Sequence, residues 1–233
     1  MLYGIRLTGP ETYVAVGLLL TGVARLASSI PAPRAAKVDP MVGRRYQQMR
    51  EQRAGAFSII GFHSGKTPDH RGRYLREIQQ WPDERLESTH DFIQWMFPLA
   101  ETSAFHPQAP LLDAVAIAAF RSRPDLHRSV QTSFLRMLAF FGFQPRFDPQ
   151  LVIEPGPDFT IKSQHWFSAG NHNHLRISRI LKSSRLLGLE KESGALFHCL
   201  AGIYQTERVK PDPAITRETF AFWRAAAGRS HSP

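Results

Sequence analysis

The sequence LESTHDFIQWMFPL at residues 86–99 is an apolar run that carries a thin stripe of polar side chains. Read as one α-helix at about 100° per residue, it places four polar residues on a single face. These are Glu87, His90, Asp91 and Gln94. Apolar side chains cover the wider remaining arc, so the helix is expected to be packed on several sides with a polar slot along it. Pro98 ends the predicted helix because it has no N–H to donate.

Helical spacing of apolar residues recurs along the rest of the chain. It is most regular over residues 126–143 and is repeated over 111–120, 175–188, 196–204 and 215–223. Residues 151–162, LVIEPGPDFTIK, instead contain two short β-prone runs around a Pro-Gly-Pro turn, which indicates a small hairpin or an ordered loop. We therefore predict an all-α fold: a compact domain of about seven helices with a small hairpin or extended loop insertion.

Residues 1–40 differ in character from the remainder. Their apolar run at residues 14–24 is shorter than the ~20 residues needed to span a bilayer, and a Pro/Ala-rich stretch follows it. We interpret residues 1–40 as a flexible N-terminal extension. A weak signal sequence and an alternative start at Met41 are the competing interpretations. Residues 41–206 are predicted to form the main helical domain, and residues 207–233 a C-terminal helix and tail.

Composition limits the classes of function that remain. The chain has 233 residues, 42% of them hydrophobic, and a net charge of +9 that is concentrated in residues 1–76 and 175–233. A basic surface of this kind can meet nucleic acid or another anionic partner. The single cysteine, Cys199, excludes an internal disulfide and is typical of a reducing compartment. We expect an intracellular, cytoplasmic protein without a transmembrane segment.

A second informative stretch, NHNHLRISRILKSSRLLGLE, occupies residues 171–190. Its apolar residues share one helical face, whereas Arg176, Arg179, Lys182 and Arg185 lie on the other. The resulting basic helix, residues 175–188, is a candidate for contact with nucleic acid. His172, Asn173 and His174 are adjacent in sequence and do not reproduce the dispersed residues of an HNH nuclease, so capping of the helix explains them without a metal.

Acid–base or metal chemistry is the alternative for the first stretch. Glu87 and His90 have the spacing that carboxylate-bridged di-iron bundles use, but such sites need two of these motifs and further glutamates. A histidine flanked on its own face by Glu87 and Asp91 is nevertheless a candidate acid or base. We predict no catalytic residue, metal or cofactor, and keep a metal-dependent or histidine-based enzyme as the alternative.

Several of these segments together resemble the opioid growth factor receptor conserved-region family. The similarity runs over residues 57–204, through PDHRGR, LESTHDFIQWMFPL, APLL, RMLAFFGF and the stretch at 171–190. The compact form is similar to that of the family's microbial members. The resemblance implies a helical domain of receptor type without known catalytic residues, and it implies peptide binding with peripheral membrane or nuclear association. It does not imply that this chain binds an opioid peptide.

We therefore predict a non-enzymatic binding or interaction domain whose partner is a peptide or protein. The predicted binding surface joins the polar residues of the two stretches. Its members are Glu87, His90, Asp91, Gln94, Trp95, Trp166, His172, Asn173, Arg176 and Arg179.

Overall fold

A computed structural model describes residues 59–102, 109–147 and 149–229 of the chain. This part is mostly helical, with one two-stranded antiparallel sheet. The prediction of a helical domain with a small hairpin is confirmed, but the fold is not strictly all-α and the described part has more than seven helices. Residues 59–63 are helical. The helices that follow are α1 (Leu75–Gln79), α2 (Asp83–Ser88), α3 (Ile93–Met96), α4 (Ala114–Ser122), α5 (Pro124–Phe141), α6 (Phe159–Lys162), α7 (His172–Leu186), α8 (Glu190–Glu207) and α9 (Arg217–Ala226), with a 3-10 helix at Ser163–His165 after α6. The interpretation of residues 1–40 falls outside the described residues.

Helix α5 lies in the middle of the core, as its apolar spacing predicts. Pro124 occupies its first turn, and Gly142 ends it with a φ of 84°, a conformation that glycine adopts without strain. Its inward face is buried along the whole length: Leu126, Val130, Phe134, Met137, Leu138 and Phe141. The aromatic cluster at its end packs against Trp166.

Residues 86–99 do not form the single helix that their spacing predicts. Helix α2 ends at Ser88, Thr89 is extended with φ −102° and ψ 128°, and α3 begins only at Ile93. The Ser-Thr-His-Asp run has low intrinsic helix propensity, so little helix stability is lost by breaking there. The predicted common face of four polar residues is therefore wrong.

The hairpin forms one strand earlier than predicted. Strand β1 (Phe143–Phe147) pairs with β2 (Leu151–Pro155), and Phe143 lies opposite Pro155. The second β-prone run, FTIK, is helix α6. Gly142 redirects the chain straight from α5 into β1, and the Gly156 N–H donates to the Gly142 carbonyl at 2.8 Å, which closes the open end of the hairpin. The hairpin is thus anchored to the end of α5.

Helices α7, α8 and α9 pack against one another. Asn171 caps α7 by accepting from the Asn173 N–H, and Thr216 caps α9 in the same manner. The indole N–H of Trp223 on α9 donates to the His174 carbonyl at 3.0 Å. Helix α9 is therefore attached to α7 by a buried hydrogen bond as well as by apolar packing.

Candidate functional site

The break between α2 and α3 is filled by a side chain from α7. Arg176 is 5% exposed, and its Nη2 donates to the Thr89 carbonyl at 2.8 Å while its Nη1 donates to the Asn173 side chain at 3.1 Å. Its guanidinium also lies over the Phe92 ring, 5.5 Å from the centroid. The guanidinium thus satisfies a carbonyl that a continuous helix would have paired internally.

Two further residues of α7 repeat this arrangement along the helix. Arg179 donates to the Phe97 carbonyl at 3.2 Å, and the Ser183 hydroxyl donates to the Pro98 carbonyl at 2.8 Å. With Arg176 they form a stripe at i, i+3 and i+7 that holds the irregular backbone of residues 89–98. The two informative stretches of the sequence are therefore in direct contact.

Glu87 is the carboxylate at this junction. It accepts from Asn173 Nδ2 at 3.0 Å, and its oxygens lie 3.3 Å from His172 Nε2 and 3.7 Å from Arg176 Nη1. Burial lowers the pKa of His172, the charges of Arg176 and His90 lower it further, and Glu87 opposes this shift. The structure thus brings Glu87, His172, Asn173 and Arg176 into one cluster.

His90 lies beside this cluster and not against Asp91. Its ring stacks on that of His172 at 5.2 Å between centroids, and its Nδ1 is 3.2 Å from the Ser88 carbonyl. Both imidazoles are exposed. The prediction that His90 is flanked by two carboxylates on one helix face is therefore wrong, because the chain turns between His90 and α3.

Asp91 contacts a separate set of basic residues. Its oxygens lie 3.0 Å from Arg73 Nη1, 2.5 Å from Arg71 Nε and 3.3 Å from His70 Nε2. Burial alone would raise the pKa of Asp91, but the hydrogen bond and charge of Arg73, helped by Arg71 and His70, outweigh it and hold the pKa below its ordinary value. Asp91 thus fastens the PDHRGR loop to the start of α3.

Three other predicted site residues serve mainly to build the structure. Trp95 is buried, with the His70 ring stacked 5.9 Å from its own, and Trp166 is fully buried with its N–H donating to the Phe141 carbonyl at 3.1 Å. Gln94 is 6% exposed. In the amide orientation that gives both its oxygen and its nitrogen suitable partners, the Gln94 nitrogen donates to the Asp91 carbonyl at 3.1 Å. The two tryptophans belong to the core, whereas Gln94 also lines the groove described next.

A groove of about 770 Å³ runs between α7, α9 and residues 90–102. Its walls are largely apolar, and two of the wall residues are large hydrophobic side chains with high exposure: Leu175 at 55% and Phe222 at 66%. Its polar lining includes five of the groups introduced above or in the sequence prediction. These are His90, Gln94, His172, Arg176 and Arg179.

Sequence reasoning missed the apolar half of this groove. Leu175 precedes Arg176 on α7, and Phe222 precedes the buried Trp223 on α9. Phe222 stands in an apolar stretch, and Leu175 stands between the buried residues His174 and Arg176, so composition alone does not separate either from the core. An amphipathic projection of α9 offers a signal, because Phe222 lies about 100° away from Trp223 around the helix.

The basic side of α7 supplies part of the polar floor of this groove. Arg176 is buried and Arg179 is half-buried, and burial lowers the pKa of both. Lys182 binds Glu101 across the groove at 2.5 Å. The basic face predicted for residues 175–188 is therefore largely occupied by contacts with residues 87–101.

Within the described ranges, no three histidine, cysteine or acidic side chains are grouped so that they could hold a metal ion. No helix of the described part is long and apolar enough to cross a membrane.

These features define a mainly helical domain whose two signature stretches meet beside an amphipathic groove. The model of the opioid growth factor receptor (OGFr) conserved region matches residues 66–225, which include the groove and helices α1 to α8 with almost all of α9. The chain belongs to this family.

The chain is similar to several vertebrate proteins over part of its length. The opioid growth factor receptor of Rattus norvegicus is 34% identical over 121 residues, covering 48% of this chain and 20% of the relative. The opioid growth factor receptor-like protein 1 of Mus musculus is 33% identical over 137 residues, covering 57% of this chain and 29% of the relative. The human opioid growth factor receptor is 33% identical over 125 residues, covering 51% of this chain and 18% of the relative. The chain thus aligns with under a third of each relative's length, and no solved structure matches it.

Proposed function

We propose that this domain is a non-enzymatic binding module that holds a peptide segment of a partner in the groove between α7 and α9. The observation that carries the proposal is the pair of exposed apolar side chains, Leu175 and Phe222, on the walls of a groove with a polar floor. Ligand sites typically combine apolar walls with a few fixed polar groups. The volume of about 770 Å³ lies within the range of typical ligand pockets.

The polar floor supports the same proposal because it is held rigidly. Arg176, Gln94 and Arg179 each make hydrogen bonds to backbone carbonyls of residues 89–97. A fixed arrangement of polar groups lowers the entropy that is lost on binding. Relatives of this chain carry the name receptor, and a receptor has a ligand.

Replacement of the exposed Phe222 side chain tests the proposal. A library of random dodecapeptides displayed on phage is selected against the full chain, and the recovered peptides are titrated against wild-type protein and the Phe222→Ser variant. We expect at least about tenfold weaker binding to the variant, since an exposed aromatic that becomes buried on binding contributes roughly 1.5 kcal/mol or more.

Ile161→Ser is the matched control. Ile161 is 68% exposed, on α6, and does not line the groove. Its replacement should change the affinity less than twofold. Selected peptides that bind both variants as tightly as the wild type would contradict a binding site in this groove.

The two alternatives have less support from the geometry. An enzyme using Glu87, His90 and Asp91 needs these groups in one place, whereas the Asp91 carboxylate is bound by Arg71 and Arg73. Contact with nucleic acid through α7 needs free cations, and Arg176 is buried. The intracellular location and the domain limits given above stay predictions.

A further inference from the structure

We infer that the groove selects a peptide segment carrying an acidic side chain next to its apolar anchor, and that the Arg179 guanidinium binds the carboxylate. This inference rests on the proposed function, since it names the chemistry of the same ligand. It assigns a specificity-determining residue to the groove.

The two arginines of the groove floor differ in how many of their N–H groups already make hydrogen bonds or ion pairs within the domain. Arg176 donates to Thr89 and Asn173 and lies 3.7 Å from the Glu87 carboxylate, so its charge is matched within the domain. Arg179 makes one hydrogen bond, to the Phe97 carbonyl, and no carboxylate of the described residues lies within ion-pair distance of it. Five N–H donors on a guanidinium leave most of Arg179 available for a planar, two-point contact with a carboxylate.

The charge around Arg179 favours an anion. Glu101 is the carboxylate among the described groove residues, and Lys182 already binds both of its oxygens. The rings of His90 and His172 line the same floor and bring no negative charge to it. The charge of Glu101 also acts on Arg179, but the two residues form no direct ion pair. An acidic ligand would give this partly buried guanidinium the direct partner that Glu101 gives to Lys182.

The spacing of Leu175 and Arg179 on α7 determines how close the ligand's apolar side chain must lie to its carboxylate. Leu175 and Arg179 are four residues apart on one helix, so their side chains are neighbours on its surface, about 6 Å apart. Phe222 faces them across the groove from α9. The ligand should therefore present its carboxylate within one residue of its apolar anchor if it is extended, or one turn away if it is helical.

The test uses the dodecapeptides recovered by selection on the full chain, made with amidated C-termini so that carboxylates come only from side chains. Each peptide is titrated as selected and with its acidic residue changed to the amide. We expect the amide form to bind wild-type protein about tenfold more weakly, and Arg179→Gln to bind the acidic form more weakly by a similar factor. The variant should no longer distinguish acid from amide, and Arg179→Lys should retain part of the preference.

Arg185→Gln is the matched control, because it removes the same charge from the same helix outside the groove lining. It should change every affinity less than twofold. Peptides that require Phe222 but bind acid and amide forms equally would overturn this inference and leave the proposed function standing. A selection that recovers no Phe222-dependent peptide would overturn both.

Discussion

Arg176 and Thr89 are 87 residues apart in sequence, yet the guanidinium Nη2 donates to the Thr89 carbonyl at 2.8 Å. This contact explains why a stretch with helical spacing is broken between α2 and α3. The irregular backbone between Ser88 and Ile93 is stabilised by a partner that no local rule anticipates. The contact also joins the two stretches that carry most of the family resemblance.

Replacement of Arg176 should destabilise the fold. Arg176→Met keeps much of the side-chain volume but leaves the Thr89 carbonyl and the Asn173 side-chain oxygen without their donor, and it removes the guanidinium charge beside Glu87. We expect a loss of about 2 to 3 kcal/mol in the free energy of unfolding, measured by urea denaturation. Arg128→Met on the exposed side of α5 is the control and should change stability by less than about 0.5 kcal/mol. Equal stability of both variants would contradict the role given to Arg176.

Asp91 should make the domain sensitive to acid. Its pKa is held below the ordinary value in the folded protein, so its stabilising effect is complete above about pH 4, the unfolded-state pKa, and is lost as the pH falls below that value. Asp91→Asn should cost about 2 kcal/mol at pH 7, since Arg71 and Arg73 lose their common carboxylate. It should also flatten the acid limb of a stability profile between pH 2 and 5. Asp212→Asn, in an exposed loop, should leave the profile unchanged.

His63 predicts a second pH effect in a different range. Its ring nitrogens lie 3.0 Å from Ser129 Oγ and from the Trp95 carbonyl, and burial lowers its pKa to about 4, against a smaller opposing effect of the Trp95 hydrogen bond. Because the unfolded chain takes up the proton near pH 6.5, stability should fall as the pH drops from 6.5 towards 4, by up to about 3 kcal/mol.

A proton NMR titration of the His63 ring and urea unfolding at a series of pH values measure this effect. His63→Gln should be less stable than the wild type at pH 7, with a shallower decline between pH 6.5 and 4. The exposed His198→Gln should keep the wild-type slope. A His63 ring that titrates near 6.5 in the folded protein would refute the prediction.

The burial of Cys199 should slow its reaction with alkylating reagents. Burial, with a smaller contribution from the Glu154 charge, raises the pKa of the thiol to about 12. Little thiolate is then present at pH 8, and the thiolate is the reactive form. Modification by iodoacetamide at pH 8 should be at least about 100-fold slower in the folded protein than in 6 M urea. Comparable rates in the two conditions would show that the thiol is accessible and normally acidic.

Parts of the structure that depend on local chemistry could be predicted from the sequence. Helix α5 was predicted from its unbroken apolar spacing, and Pro124 favours its first turn. The predicted range runs on to Phe143, whereas Gly142 in the left-handed conformation ends the helix at Phe141. The Asn171 cap and the inward face of α7 follow from the same rules. These elements need no information from distant residues.

The remaining features depend on contacts between distant segments. The interruption of residues 86–99 follows from Arg73 binding Asp91 and Arg176 binding Thr89, and each pair is far apart in sequence. Strand β1 was missed because FQPRF contains Pro145, which ordinarily argues against a strand, but a two-stranded hairpin consists of edge strands alone. The groove was missed because its two walls come from α7 and α9, and their proximity is a property of the packing.

Neighbouring residues on α9 perform separate tasks. Trp223 is fully buried and donates to the His174 carbonyl, whereas Phe222 stands two-thirds exposed on the wall of the groove. The outer position can be exchanged for a larger, smaller or polar residue without disturbing the inner one. Single changes at position 222 should therefore alter the surface of the groove at almost no cost to folding, which makes α9 a natural starting point for redesigning that surface.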